Sequence, residues 1–345
     1  MNGAHVGDIV MSTALLGSLR SAFPHAEIGF VVGSWSKMVV AEHPNVDFVH
    51  TVDHWKSNRS RDSFLVKYVK YVRTRTRALK EIRARRYDIA ICSHAYYSDL
   101  LSLVWQADVP VRVAFEQSIF APLANVTARY PESPFVQQRE CLAALLRAMS
   151  LDETQLSHCR AELAPDSFES TKELCDLLQL SDLHAADYFV IHIGSGAPAR
   201  ELPSSTWRAV VAELSREHLL LFTGRGAREK AEIRKIIAGF PNCVDACDRL
   251  SWRGLVTAIR HAARFYGVES MAGHVAAAVG TRSVLAYSGM AGVARWRPDT
   301  SLAMIWTHNV SCSPCGNMKG CKHMACVRRI MAKDLVASAS TESDA

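Results

Sequence analysis

Glycines follow an apolar run near the middle of the chain, where backbone N–H groups are placed to bind a phosphate. The run from Tyr188 to Ile193 ends in Gly194-Ser195-Gly196, and Arg200 lies four residues further on. Turns at the carboxyl ends of strands present N–H groups to anions, and an arginine neutralises the anion's charge. The pattern predicts that Ser195, Gly196 and Arg200 bind a pyrophosphate, with a plain glycine turn as the alternative.

Two further turns of this kind follow later apolar runs. One contains Gly224 and leads into a predicted helix that opens with Glu229. The other leads into a helix of small residues, with Ser270 and Gly273 near its start, where N–H groups favour anions. Three strand-end turns in one predicted domain favour an anion site more strongly than any one of them does.

Asp8 is the candidate for acid–base chemistry in the first half of the chain. It follows Gly7 and precedes a predicted helix from Ser12 to Phe23. A carboxylate there stabilises the helix electrostatically. It can also act as a general base that takes a proton from an acceptor hydroxyl. The spacing alone favours the electrostatic role and leaves the catalytic one open.

Four cysteines lie close together near the end of the chain, in a C-x2-C-x5-C-x4-C pattern. They are Cys312, Cys315, Cys321 and Cys326. Four thiolates can hold zinc or iron in a closed tetrahedral site. The pattern predicts a structural metal site, with free thiols as the alternative, and elemental analysis of the purified protein would separate the two.

The elements that must position these residues predict two α/β domains. The chain has 345 residues, of which 49% are hydrophobic and 21% charged, which is enough apolar material for two cores. Short apolar runs alternate with helical patterns in the first half, and the alternation restarts at Tyr188. Strands separated by helices predict right-handed crossovers and mainly parallel sheets. The expected fold is therefore two doubly wound, Rossmann-like domains with a cleft between them.

The expected domain bounds are 1–155 and 156–310. The last segment, 311–345, would hold the cysteine cluster, a C-terminal helix and a disordered tail from Ser338. Ten cysteines at irregular spacing predict reduced thiols and a cytoplasmic protein. The chain has no apolar run of the length that a transmembrane helix requires.

A strongly basic stretch runs from Lys56 to Arg86, with twelve lysines and arginines against only Asp62 and Glu81. Apolar residues recur among these charges at helical spacing, so a solvated amphipathic helix is the favoured interpretation. Such a helix can also contact acidic lipid headgroups, phosphorylated saccharides or nucleic acid. Nucleic acid is the weakest of these partners, because no nucleic-acid-binding module accompanies the stretch.

In their order, these segments resemble glycosyltransferase family 9, the ADP-heptose:lipopolysaccharide heptosyltransferase family. Residues 7–13 look like the family's N-terminal glycine-aspartate motif, and residues 192–207 look like its second-domain strand, phosphate loop and tryptophan-bearing helix. Residues 267–280 and 295–298 are similar to two later motifs. The resemblance covers nearly the whole chain, and the ordered set is more specific than any single motif.

The resemblance implies a GT-B fold and an inverting sugar transfer that requires no metal or other cofactor. Asp8 would be the general base, and Ser195, Gly196 and Arg200 would hold the donor diphosphate. Ser270 and His274 would lie beside the sugar nucleotide, with Glu269 nearby. The predicted donor site then comprises Ser195, Gly196, Arg200, Gly224, Glu229, Glu269, Ser270, Gly273 and His274.

Three departures from the family's pattern bear on specificity and completeness. Glu269-Ser270-Met271 stands where the family usually has Asp-Ser-Gly, and Arg200 stands where lysine is common. An apolar strand usually precedes the glycine-aspartate loop, whereas only Met1 to Val6 precede it here. We therefore expect the first strand to be missing through a truncated reading frame; an in-frame stop directly upstream of Met1 in the source DNA would refute this.

The resemblance implies transfer of a heptose or related sugar from ADP-heptose, or a similar nucleotide sugar, to a lipopolysaccharide core or other surface saccharide. The basic helix would then meet the cytosolic face of the inner membrane, and nucleic acid would not be a partner. One alternative is a protein O-heptosyltransferase. The other is an inactive protein that binds sugar nucleotides or serves in assembly.

Overall fold

The computed structural model describes residues 1–94, 99–164, 170–180 and 188–340. The chain divides into two compact units, residues 1–166 and residues 167–345, which are called unit 1 and unit 2 below. Within the described ranges, no helix combines the length and the apolar character needed to cross a bilayer.

Unit 1 contains short parallel strands and helices that alternate along the chain. In chain order they are α1 (Val6–Ser12), α2 (Ala14–Ala22), β1 (Gly29–Val32), a 3₁₀ turn (Ser34–Val39), β2 (Phe48–Thr51), α3 (Phe64–Arg85), β3 (Ile89–Ile91), α4 (Leu100–Gln106), β4 (Val111–Phe115), a 3₁₀ turn (Ala121–Leu123), β5 (Val126–Ala128), α5 (Gln138–Ala148) and α6 (Glu153–Leu156).

The strands of unit 1 form two parallel sheets, β1–β2 and β3–β4–β5. The first two residues of the chain lie between them. The Asn2 N–H donates to the Val31 carbonyl of β1 at 3.0 Å, and the Met1 ammonium donates to the Ile91 carbonyl of β3 at 2.6 Å. The Met1 carbonyl in turn accepts from the Ser93 N–H at 3.1 Å. Met1 and Asn2 therefore bridge the edges of the two sheets.

A cavity of about 510 Å³ lies beside this bridge. Met1, residues 28–31 and residues 87–91 contribute to its lining, together with apolar side chains such as Leu16 of α2. Burial lowers the pKa of the Met1 ammonium below its ordinary value of 8.0, because the charged form loses its hydration there.

The region around Asp8 differs from the sequence-based expectation. Asp8 was expected before a helix that starts at Ser12, but it lies within the first turn of α1, and a second helix, α2, follows directly. The Asp8 carboxylate accepts a hydrogen bond from the His5 N–H at 3.0 Å. It therefore caps the N-terminus of α1, which is the electrostatic role that the spacing favoured.

Unit 2 contains the longer and more regular sheet. In chain order its elements are α7 (Thr171–Leu178), β6 (Tyr188–His192), a 3₁₀ turn (Pro198–Arg200), α8 (Ser204–Leu214), β7 (Leu219–Thr223), α9 (Ala227–Ile237), β8 (Cys243–Asp245), α10 (Trp252–Arg260), β9 (Arg264–Val268), α11 (Met271–Ala278), β10 (Ser283–Tyr287), α12 (Val293–Trp296), β11 (Ala303–Thr307), α13 (Ala325–Arg328) and α14 (Ala332–Ser340).

The six strands of unit 2 are all parallel, in the order β11-β10-β9-β6-β7-β8. The chain starts in the middle of the sheet at β6, builds outward through β7 and β8, and then returns to build the other half from β9. The order of connection therefore reverses between β6 and β9. In open α/β sheets this switch point leaves a crevice at the carboxyl ends of the strands, where ligands bind.

The core of unit 2 explains why its central strands are continuous apolar runs. Strand β10 is buried along its whole length, and Ile191 of β6 and Phe222 of β7 are fully buried. Trp207 of α8 is the largest fully buried side chain of this core. Helix α14 continues to Ser340 and so includes the first three residues of the predicted tail, whereas residues 341–345 lie outside the described residues.

Candidate functional site

The loops after β9, β6 and β7 lie side by side, because these strands are neighbours in the sheet and all run in the same direction. They are the three strand-end turns that the sequence predicted. The loops after β6 and β9 flank the switch point. The structure therefore brings most of the predicted donor-binding residues to one edge of unit 2.

The loop after β6 is bonded to carboxylates of unit 2. The Ser195 N–H donates to Glu201 Oε1 at 2.8 Å, and both Glu201 oxygens accept from the Arg228 guanidinium. Gly194 packs against a second carboxylate, since a Cβ at this position would lie 2.3 Å from Cδ of Glu229. Gly194 is therefore required for this close approach, while Gly196 is exposed.

Arg200 and Glu269 form a largely buried ion pair at the switch point. Arg200 Nε lies 3.4 Å from Glu269 Oε1, and the Ser288 hydroxyl donates to the other Glu269 oxygen at 3.3 Å. Burial raises the pKa of Glu269 above its usual range, and Arg200 and Ser288 oppose this shift. The pair joins the loop after β6 to the loop after β9.

Two polar groups at the switch point lack a hydrogen-bond partner within the described part of the chain, one of them the Arg200 nitrogen that lies 3.4 Å from Glu269. Among the described atoms, the buried Ser270 hydroxyl and the buried Arg200 Nε have no hydrogen-bond partner. A buried polar group that lacks a partner is costly, and an acceptor oxygen of a ligand would satisfy a donor of this kind. Gly273 has a packing role, because a Cβ there would lie 3.2 Å from a methyl group of Leu285. His274 follows it in the first turns of α11 and is partly buried.

The turn after β7 also has its N–H groups bonded to carboxylates. The Arg225 N–H donates to Glu229 at 2.9 Å, and the Gly226 N–H donates to Asp248 at 2.8 Å. Burial raises the pKa of Glu229, and its hydrogen bond with Arg225 opposes the shift. Glu229 also lines a cavity of about 660 Å³, within the size range of small-molecule sites.

Three charged residues of this edge were missed by the sequence analysis: Glu201, Arg228 and Asp248. Glu201 directly follows Arg200, and Arg228 directly precedes Glu229, so proximity to a predicted residue was the available signal. Arg228 lies 27 residues along the chain from its partner Glu201, and Asp248 lies 22 residues from its partner Gly226. Such pairs become apparent only once the strands are neighbours.

Asp8 lines a pocket of about 300 Å³ within unit 1. His5, His54, His94 and Lys56 also line it. Burial lowers the pKa of all three histidines, so their neutral forms are favoured. A carboxylate in a pocket with neutral imidazoles and a lysine is suited to hold and deprotonate a polyhydroxylated ligand.

The cysteine cluster does not form a metal site in the structure. Cys312, Cys315 and Cys321 are exposed and Cys326 is partly buried. Within the described ranges, no group of three or more histidine, cysteine, aspartate or glutamate side chains is arranged to hold a metal ion. The zinc or iron site thus stays a prediction from sequence spacing.

Comparison with known proteins gives one family match and several structural likenesses. The model of glycosyltransferase family 9 (heptosyltransferase) matches residues 75–324. A solved structure of a family 9 glycosyl transferase from Veillonella parvula has a TM-score of 0.78 at 18% identity, covering 99% of this chain and 94% of that one. No curated protein matches the chain.

Two structures from E. coli are also similar. ADP-heptose lps heptosyltransferase II has a TM-score of 0.74 at 16% identity, covering 98% of this chain and 96% of that one. Heptosyltransferase WaaC with ADP-2-deoxy-2-fluoro heptose has a TM-score of 0.70 at 14% identity, covering 98% of both chains. Likeness at such identities shows the fold alone. The predicted α/β fold class, with parallel sheets in two Rossmann-like domains, is confirmed.

Proposed function

The chain belongs to glycosyltransferase family 9, and from that premise we propose that it transfers a heptose or related sugar from ADP-heptose, or a similar nucleotide sugar, to a lipopolysaccharide core or other surface saccharide. The observation that carries the proposal is the switch point of unit 2. Arg200, Glu269 and the unsatisfied Ser270 hydroxyl meet there at the carboxyl ends of parallel strands.

The donor would bind through its diphosphate at this switch point. A phosphate oxygen would accept from Arg200 Nε and from the Ser270 hydroxyl, which are buried and without a hydrogen-bond partner among the described atoms. The Ser195 N–H is bonded to Glu201, and it would become a further donor to the diphosphate if a phosphate oxygen displaced that carboxylate. Gly196, Gly224, Glu229, Gly273 and His274 complete the proposed donor site.

The reaction would be a single displacement with inversion. An acceptor hydroxyl oxygen forms a bond to the anomeric carbon of the donor while the bond from that carbon to the diphosphate breaks. Asp8 takes the hydroxyl proton, and Arg200 offsets the charge of the departing nucleoside diphosphate. The pocket around Asp8 supports this role. Its three histidines favour their neutral forms, and its carboxyl groups are those of Asp8 and Asp99.

We place the reaction in the cytoplasm, at the cytosolic face of the inner membrane. All ten cysteines lie in the described part of the chain and none forms a disulfide bond, which fits a reducing compartment. The acceptor would reach unit 1 as part of a membrane lipid.

Replacement of Asp8 by asparagine tests the proposal. Asp8→Asn keeps the size of the side chain and removes the base, so kcat with ADP-heptose and a lipopolysaccharide-core acceptor should fall by about a hundredfold to ten-thousandfold. The dissociation constant for ADP should stay unchanged. Asp88→Asn, at an exposed aspartate of unit 1, is the matched control and should keep full activity.

Other outcomes would select the alternatives. Full turnover by Asp8→Asn would remove Asp8 as the base. Transfer to protein acceptors but not to saccharides would indicate a protein O-heptosyltransferase. Nucleotide binding by the wild type without transfer to any acceptor would indicate a binding or assembly protein.

A further inference from the structure

Helix α3 exposes the apolar side chains of its N-terminal half. Leu65 is 69% exposed, Phe64 62% and Val69 57%. Only Ala78 and Ile82, both in the C-terminal half of α3, are buried. Val69 lies about two and a half turns before Ala78, which places the two side chains on opposite sides of the helix. Val69, together with Leu65 and Val72 about one turn to either side of it, therefore points away from the core of unit 1.

These side chains form a continuous apolar surface, which we call the α3 tip. It consists of Phe64, Leu65, Val66, Tyr68, Val69 and Val72, all of which are exposed. Trp55 extends the surface, because its ring contacts the Phe64 ring edge-to-face with centroids 5.3 Å apart. Scattered exposed apolar residues are ordinary in proteins, but a cluster of this density marks an interaction surface.

Basic side chains surround the α3 tip and continue along the helix. Arg73 and Lys80 lie on the same side as Val69, at spacings close to whole turns. Among the described residues from Lys56 to Arg86, seven basic side chains form no salt bridge with a carboxylate. They are Lys56, Arg59, Arg61, Lys67, Arg73, Lys80 and Arg86. All of them except Lys67 are exposed, so most of this positive charge faces solvent without a salt-bridge partner.

We propose that the α3 tip inserts into the interfacial region of an anionic lipid bilayer, with the surrounding basic side chains on the lipid headgroups. Helices that lie in a membrane interface combine apolar and aromatic residues on one surface with lysine and arginine beside it. Each basic residue near an anionic leaflet adds about 1 kcal/mol. The proposal rests on the proposed function in that a lipopolysaccharide acceptor is itself held in a membrane.

The chemistry of the α3 tip fits a bilayer better than other occupants. A second copy of this surface would bring two sets of uncompensated positive charges together, which is repulsive. Four of the six residues of the α3 tip, Leu65, Val66, Val69 and Val72, are aliphatic, so they have no ring to stack on nucleic-acid bases and no group to donate a hydrogen bond to a sugar. In a bilayer, the aliphatic side chains would contact the hydrocarbon, and the neighbouring basic side chains would contact the anionic headgroups above it.

Vesicle cosedimentation of the full chain tests the proposal. The wild type should bind vesicles of phosphatidylethanolamine with phosphatidylglycerol and should bind pure phosphatidylcholine vesicles far less. Leu65→Ser with Val69→Ser should weaken binding to the anionic vesicles by about tenfold for each residue that is removed from the lipid. Arg73→Gln with Lys80→Gln should weaken it by about fivefold for each charge.

Ile119→Ser is the matched control, because Ile119 is 72% exposed on unit 1 but lies outside the α3 tip. It should leave vesicle binding unchanged. Unfolding in urea should be the same for all variants as for the wild type, since the replaced side chains are exposed.

Three results would overturn the proposal. One is equal or absent binding to the two kinds of vesicle. Another is anionic binding that the double serine variant retains in full, which would indicate headgroup contact without insertion. The third is a lipid-free dimer that the same variant dissociates, which would make a second copy the occupant.

Transfer to a soluble, deacylated acceptor should be unchanged in the α3 variants. Wild-type protein that binds vesicles but transfers no sugar would therefore count against the proposed function and not against this surface.

Discussion

At the scale of single residues, backbone N–H groups in the loops after β6 and β7 are bonded to carboxylates of the protein itself. Glu201 bonds the Ser195 N–H, Glu229 the Arg225 N–H and Asp248 the Gly226 N–H. A charge-assisted bond to a backbone N–H is stronger than a neutral one, so these carboxylates fix the conformations of both loops. A ligand phosphate would find the loops already shaped, but it would have to compete with Glu201 for Ser195.

His192 provides a pH-dependent test of the packing at this edge. It ends β6, its Nδ1 lies 3.0 Å from the Thr223 hydroxyl oxygen, and burial lowers its pKa to about 4. Below pH 6.5 the unfolded chain binds a proton at His192 that the folded protein does not. The free energy of unfolding should therefore fall as pH drops from 6.5 to about 4, by about 3 kcal/mol at most.

Urea unfolding of the wild type and of His192→Gln across this pH range measures the effect. The variant should lose less stability on acidification than the wild type does. His25→Gln, at an exposed histidine, should follow the wild-type curve. Parallel curves for the wild type and His192→Gln would show that this side chain is not buried in its neutral form.

At the scale of elements, the close approach of α2 to the segment after α6 depends on one glycine. A Cβ at Gly17 would lie 2.7 Å from the His158 carbonyl oxygen, which is backbone and cannot rotate away. Gly17→Ala should therefore lower the free energy of unfolding by about 1–3 kcal/mol, although alanine favours helix more than glycine.

Urea unfolding again gives the measurement. Ser21→Ala, on an exposed position of the same helix, is the control and should be neutral or slightly stabilising. An unchanged or increased stability of Gly17→Ala would mean that the two segments separate at no cost.

The sequence predicted the central strands better than the edges. Continuous apolar runs in the sequence predict strands at residues 219–223 and 283–287, and these are the bounds of β7 and β10 in the buried sheet of unit 2. The sequence pattern does not predict β5, β8 or β11, which are edge strands in their sheets and in which Ala128 of β5 is the one buried residue. An edge strand is more exposed than a central one, so fewer of its residues are apolar. A short edge strand therefore resembles a loop in sequence.

The same limit applies to the site. Strand-end glycines were predictable, because the residues that follow a buried strand lie at the sheet edge. The ion pair of Arg200 with Glu269 was not, because it joins positions 69 residues apart through the neighbouring strands β6 and β9. Helix α1 was missed because its few apolar residues are interrupted by Gly7 and Asp8, which are typical of loops.

At the scale of the whole molecule, the two units would take different roles, with the donor site in unit 2 and the base in unit 1. ADP should therefore slow amide hydrogen exchange in the loops after β6, β7 and β9 and leave α3 unchanged. At a hundred times its dissociation constant, ADP should stabilise the folded state by about 2.7 kcal/mol.

Arg200→Ala should weaken both effects of ADP, because it removes the charge beside the diphosphate. Arg216→Ala, at an exposed arginine of the same unit, should preserve them. Protection by ADP that is confined to unit 1 would contradict the assignment of the donor site.

The bridge of Met1 and Asn2 has a consequence for the way in which unit 1 opens. The Asn2 N–H is bonded to the Val31 carbonyl of β1, and the Ser93 N–H, just after β3, is bonded to the Met1 carbonyl. Both amide hydrogens therefore lose their protection when the two sheets part from the bridge. They should exchange slowly with solvent, and any condition that separates β1 from β3 should speed up their exchange together.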